Sequence, residues 1–137
     1  MLITLKDYYK GRDVTYAAVL TSQIRVNAKL TIARVNALLT RFVAANPRAA
    51  IRTVNSGWRP PVVNRGVRRA AQKSNHLVAL ACDLSDDDEQ LDKWLLTKAG
   101  QAALIEIGLW MEQPAETPRW SHVQIVAPGS GNRVFWP

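Results

Sequence analysis

Cysteine occurs once in the 137 residues, at Cys82. One thiol excludes an internal disulfide and any zinc site assembled from several cysteines. Inside the apolar stretch Leu77–Leu84 it reads as a small buried hydrophobe. Histidine occurs only twice, so any histidine site must draw on His76 and His122. No apolar run approaches the roughly 20 residues needed to span a bilayer. The opening, Met1 to Arg12, carries Lys6, Asp7, Lys10 and Arg12 and has no hydrophobic core ending in a cleavage site. It does not read as a secretory signal, so synthesis in a cytoplasm without an encoded export route is expected. Repeats, low-complexity tracts and linkers are absent too, and one domain over residues 1–137 is expected.

What is present suits one real core: 47% of the residues are hydrophobic, and the five Trp read first as packing residues. The formal net charge is +7. A middle group runs through Arg41, Arg48, Arg52, Arg59, Arg65, Arg68, Arg69 and Lys73. Such a surface is drawn to any polyanion, whether nucleic acid, anionic lipid or envelope polymer. No recognised nucleic-acid motif accompanies the charge, so no specific nucleic-acid partner is expected.

Periodicity predicts an amphipathic helix from Ala28 to Ala45, stopped by Asn46-Pro47. A strand is predicted over Ala49–Val54, then a turn at Asn55-Ser56-Gly57. Pro60-Pro61 opens a predicted helix from Val62 to Ala71. Leu77–Leu84 reads as a buried strand. Ser85 is the expected cap of a helix from Asp86 to about Leu96, and Gln101–Ile107 another helix, ended by Gly108. Trp120–Val126 and Arg133–Trp136 read as strands joined by a turn at Pro128–Asn132. The mixture indicates an α+β domain, a small antiparallel sheet with helices packed on it.

Two His and one carboxylate are a known ligand set for catalytic zinc, leaving a fourth position for water. His76 and Asp83 are seven residues apart, and on a regular strand that places them on opposite faces. A twist or bulge would have to bring them together.

Ser74, His76, Ala81 and Asp83 match the motif Ser-x-His-x-x-Gly-x-Ala-x-Asp, in which only the glycine is replaced, by Ala79. Upstream stands Ser56-Gly57-Trp58-Arg59-Pro60-Pro61, followed by Asn64; downstream stands Trp120-Ser121-His122. Together these segments resemble the D-alanyl-D-alanine carboxypeptidase family of zinc peptidases, which includes dipeptidases and phage endolysins that cut between L-Ala and D-Glu. The resemblance covers roughly residues 49–126. The opening Leu5–Asp13 and the ending Pro128–Pro137 resemble phage and prophage members.

The resemblance implies a hedgehog-like peptidase fold, a Zn2+ cofactor held by His76, Asp83 and His122, and peptidoglycan peptides as partners. It implies Arg59 as the clamp for a substrate carboxylate, with Ser74 binding substrate or orienting the site; for Asn64 the alternative to a site role is simply to cap or brace the loop. A monomer is expected, made in a bacterial host and acting at the cell wall after release. Two departures stand out. Ala79 would be strained if its position requires positive φ, and an extended strand would tolerate it. Relatives place the general base three or two residues before the last ligand, where this chain has Arg119 and Trp120. The candidates here are Glu116 and Glu112. Glu116, six before His122, has the offset of the glutamate in the hedgehog signalling domain and is favoured on spacing. Glu112, ten before, resembles the arrangement in phage members. The displaced base and Ala79 also motivate an alternative, a non-catalytic metal-containing module that binds cell wall or serves structure.

Overall fold

A computed structural model of the chain describes residues 2–68 and 70–137. Its β-strands are short: β1 Val54–Ser56, β2 Ala81–Ser85, β3 Trp110–Glu112, β4 Trp120–Gln124 and β5 Val134–Phe135. They form one sheet in the order β1-β2-β4-β3-β5. Side chains alternate between the faces of a strand. Val54, Cys82, Leu84, Met111 and Val123 lie on one face and join the hydrophobic core. Asp83, Glu112, Trp120, His122 and Gln124 lie on the other and line a cleft.

The α-helices are α1 Leu5–Tyr9, α2 Arg12–Thr15, α3 Ser22–Ala45, α4 Pro61–Arg65, α5 Gln90–Leu95 and α6 Lys98–Ile107. Helix α3 buries Ala28, Ile32, Val35, Leu38, Leu39 and Phe42 against the sheet and α6. Each of the large side chains contributes about 1.5–3 kcal/mol by leaving water. The architecture is the expected α+β domain. No helix among the described residues is long and apolar enough to cross a membrane.

Several expected boundaries move, each for a local reason. Helix α3 starts six residues early, because the Thr21 hydroxyl accepts from the Ile24 N–H and caps it. Asn46-Pro47 ends it as expected. The strand expected at Ala49–Val54 is found at Val54–Ser56, where Val54 and Ser56 pair with Leu84 and Asp83 of β2. The predicted turn at Asn55-Ser56 is therefore strand. Helix α4 opens at the prolines but stops at Arg65 instead of Ala71, and the Asn64 amide reaches across the following turn to donate to Ala71 O. Ser85 is a strand residue whose hydroxyl accepts from the Thr53 N–H. Asp86 takes over its capping role, its two carboxylate oxygens accepting from the N–H groups of Leu91 and Asp92, and α5 begins at Gln90. Thr97 caps α6 three residues ahead of the expected start, and Gly108 closes it in the left-handed region, φ 86°.

The predicted strand Leu77–Leu84 divides. Asn75–Val78 is a turn of 3-10 helix capped by Ser74, Ala79 is left-handed (φ 60°, ψ 35°), and the strand begins at Ala81. Ala79 thus occupies the strained conformation and not the extended one. A left-handed L-residue costs roughly 1–2 kcal/mol. Its carbonyl is held by the Thr31 hydroxyl of α3, 2.8 Å away.

Strand β3 and the two N-terminal helices had no counterpart in the sequence reading. Strand β3 lies between β4 and β5, so the two C-terminal strands follow each other in the chain without pairing. Strand β5 runs parallel to β3, and the sheet is therefore antiparallel except at that edge. Helix α1, closed by a reciprocal Thr4–Asp7 capping box, buries Tyr8 and Tyr9. The Tyr8 hydroxyl donates to Ala81 O. Arg12 donates to Trp58 O, so the N-terminal segment clamps the loop after β1.

Candidate metal site

One transverse row of residues crosses all five strands. Ser56 pairs with Asp83, Asp83 with His122, and Glu112 with Phe135. The β3–β4 register, Met111 with Val123, continued by one residue, sets Glu112 opposite His122. Residues directly opposite in adjacent strands project from the same face. Sheet pairing therefore brings Asp83, His122 and Glu112 together, although 29 or more residues separate Asp83 from either partner.

His76 joins them from outside the sheet. The 3-10 turn and the left-handed Ala79 reverse the chain, which removes the parity conflict between His76 and Asp83. Its Nε2 lies 3.2 Å from Asp83 Oδ1, and His122 Nδ1 lies 2.8 Å from the same oxygen. Ligand atoms of His76, Asp83 and His122 all lie within 4.8 Å of one another.

The outer nitrogens decide the protonation pattern. His76 Nδ1 is 2.7 Å from Gly57 O. A carbonyl only accepts, so Nδ1 carries the proton and donates. The Gln124 amide donates through Nε2 to Val126 O at 2.8 Å, which turns its Oε1 towards His122 Nε2 at 3.0 Å. His122 therefore donates from Nε2. In neutral rings the lone pairs of His76 Nε2 and His122 Nδ1 both face the Asp83 carboxylate. Three acceptors converging in a buried place require a cation between them, either a proton or a metal ion. Ligating histidines typically donate their second nitrogen to a carbonyl or carboxylate in this way. The His76, Asp83, His122 group can hold a metal ion.

Without a metal, protons fill that role. Burial pushes the Asp83 pKa up, but His76 and His122 outweigh it and hold the carboxyl below its ordinary range. Burial pushes His122 down, and Asp83 with Glu112 reverses that, leaving its pKa raised.

The two candidate bases separate clearly. Glu112 is half-buried, with Oε2 3.4 Å from His122 Nδ1. Its pKa is raised, first by burial and then by Asp83 and Glu116, with His122 opposing. Glu116 ends the 3-10 turn Pro114–Glu116 and is exposed at the rim of the cleft. The geometry sets Glu112, not the spacing-favoured Glu116, beside the ligands.

Arg59 is buried, and its backbone N–H donates to His76 O at 2.9 Å. One guanidinium nitrogen donates to the Ser74 hydroxyl at 3.3 Å, and its Nε has no partner. Ser74 also caps the turn by accepting from the His76 N–H. Arg59 and Ser74 both line the cleft, whose volume is about 770 Å³. Asn64 points elsewhere and braces the loop, as its bond to Ala71 O indicates. Cys82 is buried in the core, as expected, and burial raises its pKa well above that of a free thiol. Trp58 is fully buried and donates to Leu77 O, while Trp120 and Trp136 line the cleft.

Two residues of the site escaped the sequence reading: Gln124, which orients His122, and the Gly57 carbonyl, which orients His76. The i, i+2 spacing of His122 and Gln124 on a predicted strand, which places both on one face, was the available signal. No protein-family model, curated protein or solved structure matches this chain.

Proposed function

We propose that this protein is a zinc-dependent peptidase that hydrolyses peptidoglycan stem peptides, of the D-Ala-D-Ala carboxypeptidase or L-Ala-D-Glu endopeptidase type, as in phage endolysins. The observation that carries the reading is the convergence of two histidine lone pairs and a carboxylate beside a half-buried glutamate, in an open cleft. Two His and a carboxylate suit zinc, and the cleft leaves a further position accessible. When bound, zinc lowers the pKa of water towards about 7 and polarises a carbonyl.

The chain's own groups supply the rest. Glu112 Oε2 accepts a proton from the attacking water as its oxygen bonds to the peptide carbonyl carbon. The same carboxyl returns a proton to the leaving amine as the C–N bond breaks. Its raised pKa brings it nearer to neutrality, where a group that both takes and gives a proton works best. Arg59, buried with an unpaired N–H, binds a substrate carboxylate through its planar fork. Ser74 holds the Arg59 guanidinium in place. Gln124 and the Gly57 carbonyl hold the one proton of each neutral ring on its outer nitrogen, so that the inner nitrogens of His122 and His76 can turn lone pairs to a metal. The motif resemblance supplies the wall-peptide substrate class and the expectation of action at the cell wall after release from a bacterial host.

A non-catalytic module was motivated by Ala79, which does take the left-handed conformation, and by the missing acid near His122. Glu112 fills that position through the sheet, which favours the enzyme. The test is mass spectrometry of products from purified peptidoglycan and from a D-Ala-D-Ala-ended peptide, with added zinc and with chelator. Released D-Ala identifies a carboxypeptidase, and freed stem peptides identify an endopeptidase. No products from protein shown to bind zinc would overturn the proposal, as would full activity in His76→Ala.

A further inference from the structure

The strand order that assembles the ligands also sorts charge along the cleft. Residues 14–82 contain eleven Lys and Arg and no Asp or Glu, whereas nine acids and four Lys and Arg follow from Asp83 onwards. The β1 side of the sheet leads into the first stretch. Arg59, Arg68 and Lys73 line the cleft there. The opposite side belongs to the second stretch, with Glu112 on β3 and Glu116 just beyond it. Among the described residues, Arg59, Arg68, Lys73 and Glu116 form no ion pair. Both ends of the cleft therefore present uncommitted charge of opposite sign, with the metal ligands between them.

We propose that the cleft selects zwitterionic peptides in one orientation, with a free carboxylate on the Arg59, Arg68 and Lys73 wall and a free amine, across the scissile bond, paired with Glu116. This rests on the peptidase reading and adds a specificity role for Glu116, Arg68 and Lys73. A peptide laid the other way meets like charge at both ends, which is an effective means of discrimination. The two ends differ in strength. Arg59 is buried, has Ser74 as its one side-chain partner and leaves Nε unpaired, so its charge-assisted bonds to a carboxylate are worth about tenfold or more in affinity. Glu116 is exposed, and an exposed pair is worth roughly two- to fivefold.

The experiment uses zinc-loaded Glu112→Gln protein, so that binding is measured without turnover. One peptide sequence is prepared in four forms, with the carboxylate free or amidated and the amine free or acetylated. Binding is read by calorimetry and by the fluorescence of Trp120 and Trp136 in the cleft. The free carboxylate should be preferred about tenfold or more, and the preference should collapse in Arg59→Met and shrink in the double variant Arg68→Ser, Lys73→Ser. The free amine should be preferred roughly two- to fivefold, and that preference should disappear with added Glu116→Gln and weaken with salt. An amine preference that survives Glu116→Gln, no amine preference, or no binding of any form would overturn the proposal. Sorting of the four peptides, with no hydrolysis of any of them by the zinc-loaded wild type, would sink the peptidase reading alone. Hydrolysis with indifference to the amine would sink this inference alone.

Discussion

Replacing Gln124 with Leu removes the one group that holds His122 with its proton on Nε2. Leucine fills much of the same volume but cannot accept. The His122 ring then has two choices. It keeps Nε2–H as a buried donor without a partner, which costs about 1–3 kcal/mol. Alternatively it gives up the Nε2 proton and keeps the one on Nδ1, which donates to Asp83 Oδ1, 2.8 Å away. The second choice is nearly free in the metal-free protein, so its folding stability should change little. A metal ion, however, needs that Nδ1 lone pair, and binding must move the proton back to Nε2. The cost reappears as lost metal affinity, and 1–3 kcal/mol corresponds to roughly 5- to 150-fold. Outer partners of metal-bound histidines typically contribute about 10–100-fold. The assay is zinc competition against a chromogenic chelator, run beside thermal unfolding with and without zinc. Expected is a 10–100-fold weaker zinc affinity, a nearly unchanged metal-free melting temperature and a smaller rise on adding zinc. Unchanged affinity in Gln124→Leu would refute the assignment of the His122 tautomer and, with it, the argument that the inner nitrogens present lone pairs.

Glu112→Gln should retain zinc binding, measured as metal per protein, and lose about 10²–10⁴-fold in kcat, a loss of general-base size; a drop confined to Glu116→Gln would reverse the assignment of the base. Gly57→Ala places a Cβ 2.3 Å from Tyr8 O and 2.6 Å from the Tyr8 ring. The loop must shift, at about 1–3 kcal/mol of stability by denaturant titration, and zinc affinity should fall because Gly57 O no longer holds His76. Asp92 lies behind β4, where the Ser121 hydroxyl donates to it at 2.6 Å, and burial with Asp86 and Glu89 nearby raises its pKa to about 6. A carboxyl with a raised folded pKa contributes most below its unfolded value of 3.8 and loses that contribution as pH rises through about 6. Asp92→Asn should therefore gain on the wild type between pH 4 and pH 7 when metal-free proteins are compared by thermal unfolding; a constant difference across that range would contradict the shift.

Local chemistry was legible where one residue decides the outcome. Asn46-Pro47 stops α3 because the proline ring disfavours helical geometry before it, and Gly108 ends α6 because it tolerates the left-handed region. The apolar periodicity of α3 located its core face, and the motif resemblance singled out His76, Asp83 and His122, which the fold brings together in a group that can hold a metal ion. Spacing misled where a long-range partner decides. His76 and Asp83 looked opposed under strand parity, and only the 3-10 turn with left-handed Ala79 folds one over the other. Trp110–Glu112 carries too short a pattern to read as a strand, and its place between β4 and β5 depends on pairing with segments far along the chain. That pairing put Glu112 beside His122 and left Glu116 at the rim, reversing the order that counting residues had suggested. Gln124 and the Gly57 carbonyl matter through the direction of one hydrogen bond each. By itself, then, the chain determined which chemistry its residues could perform, because ligand type and backbone preference are properties of single residues and near neighbours. Tertiary structure alone decided which carboxylate lies beside His122, because strand register sets proximity, and register depends on contacts between distant segments.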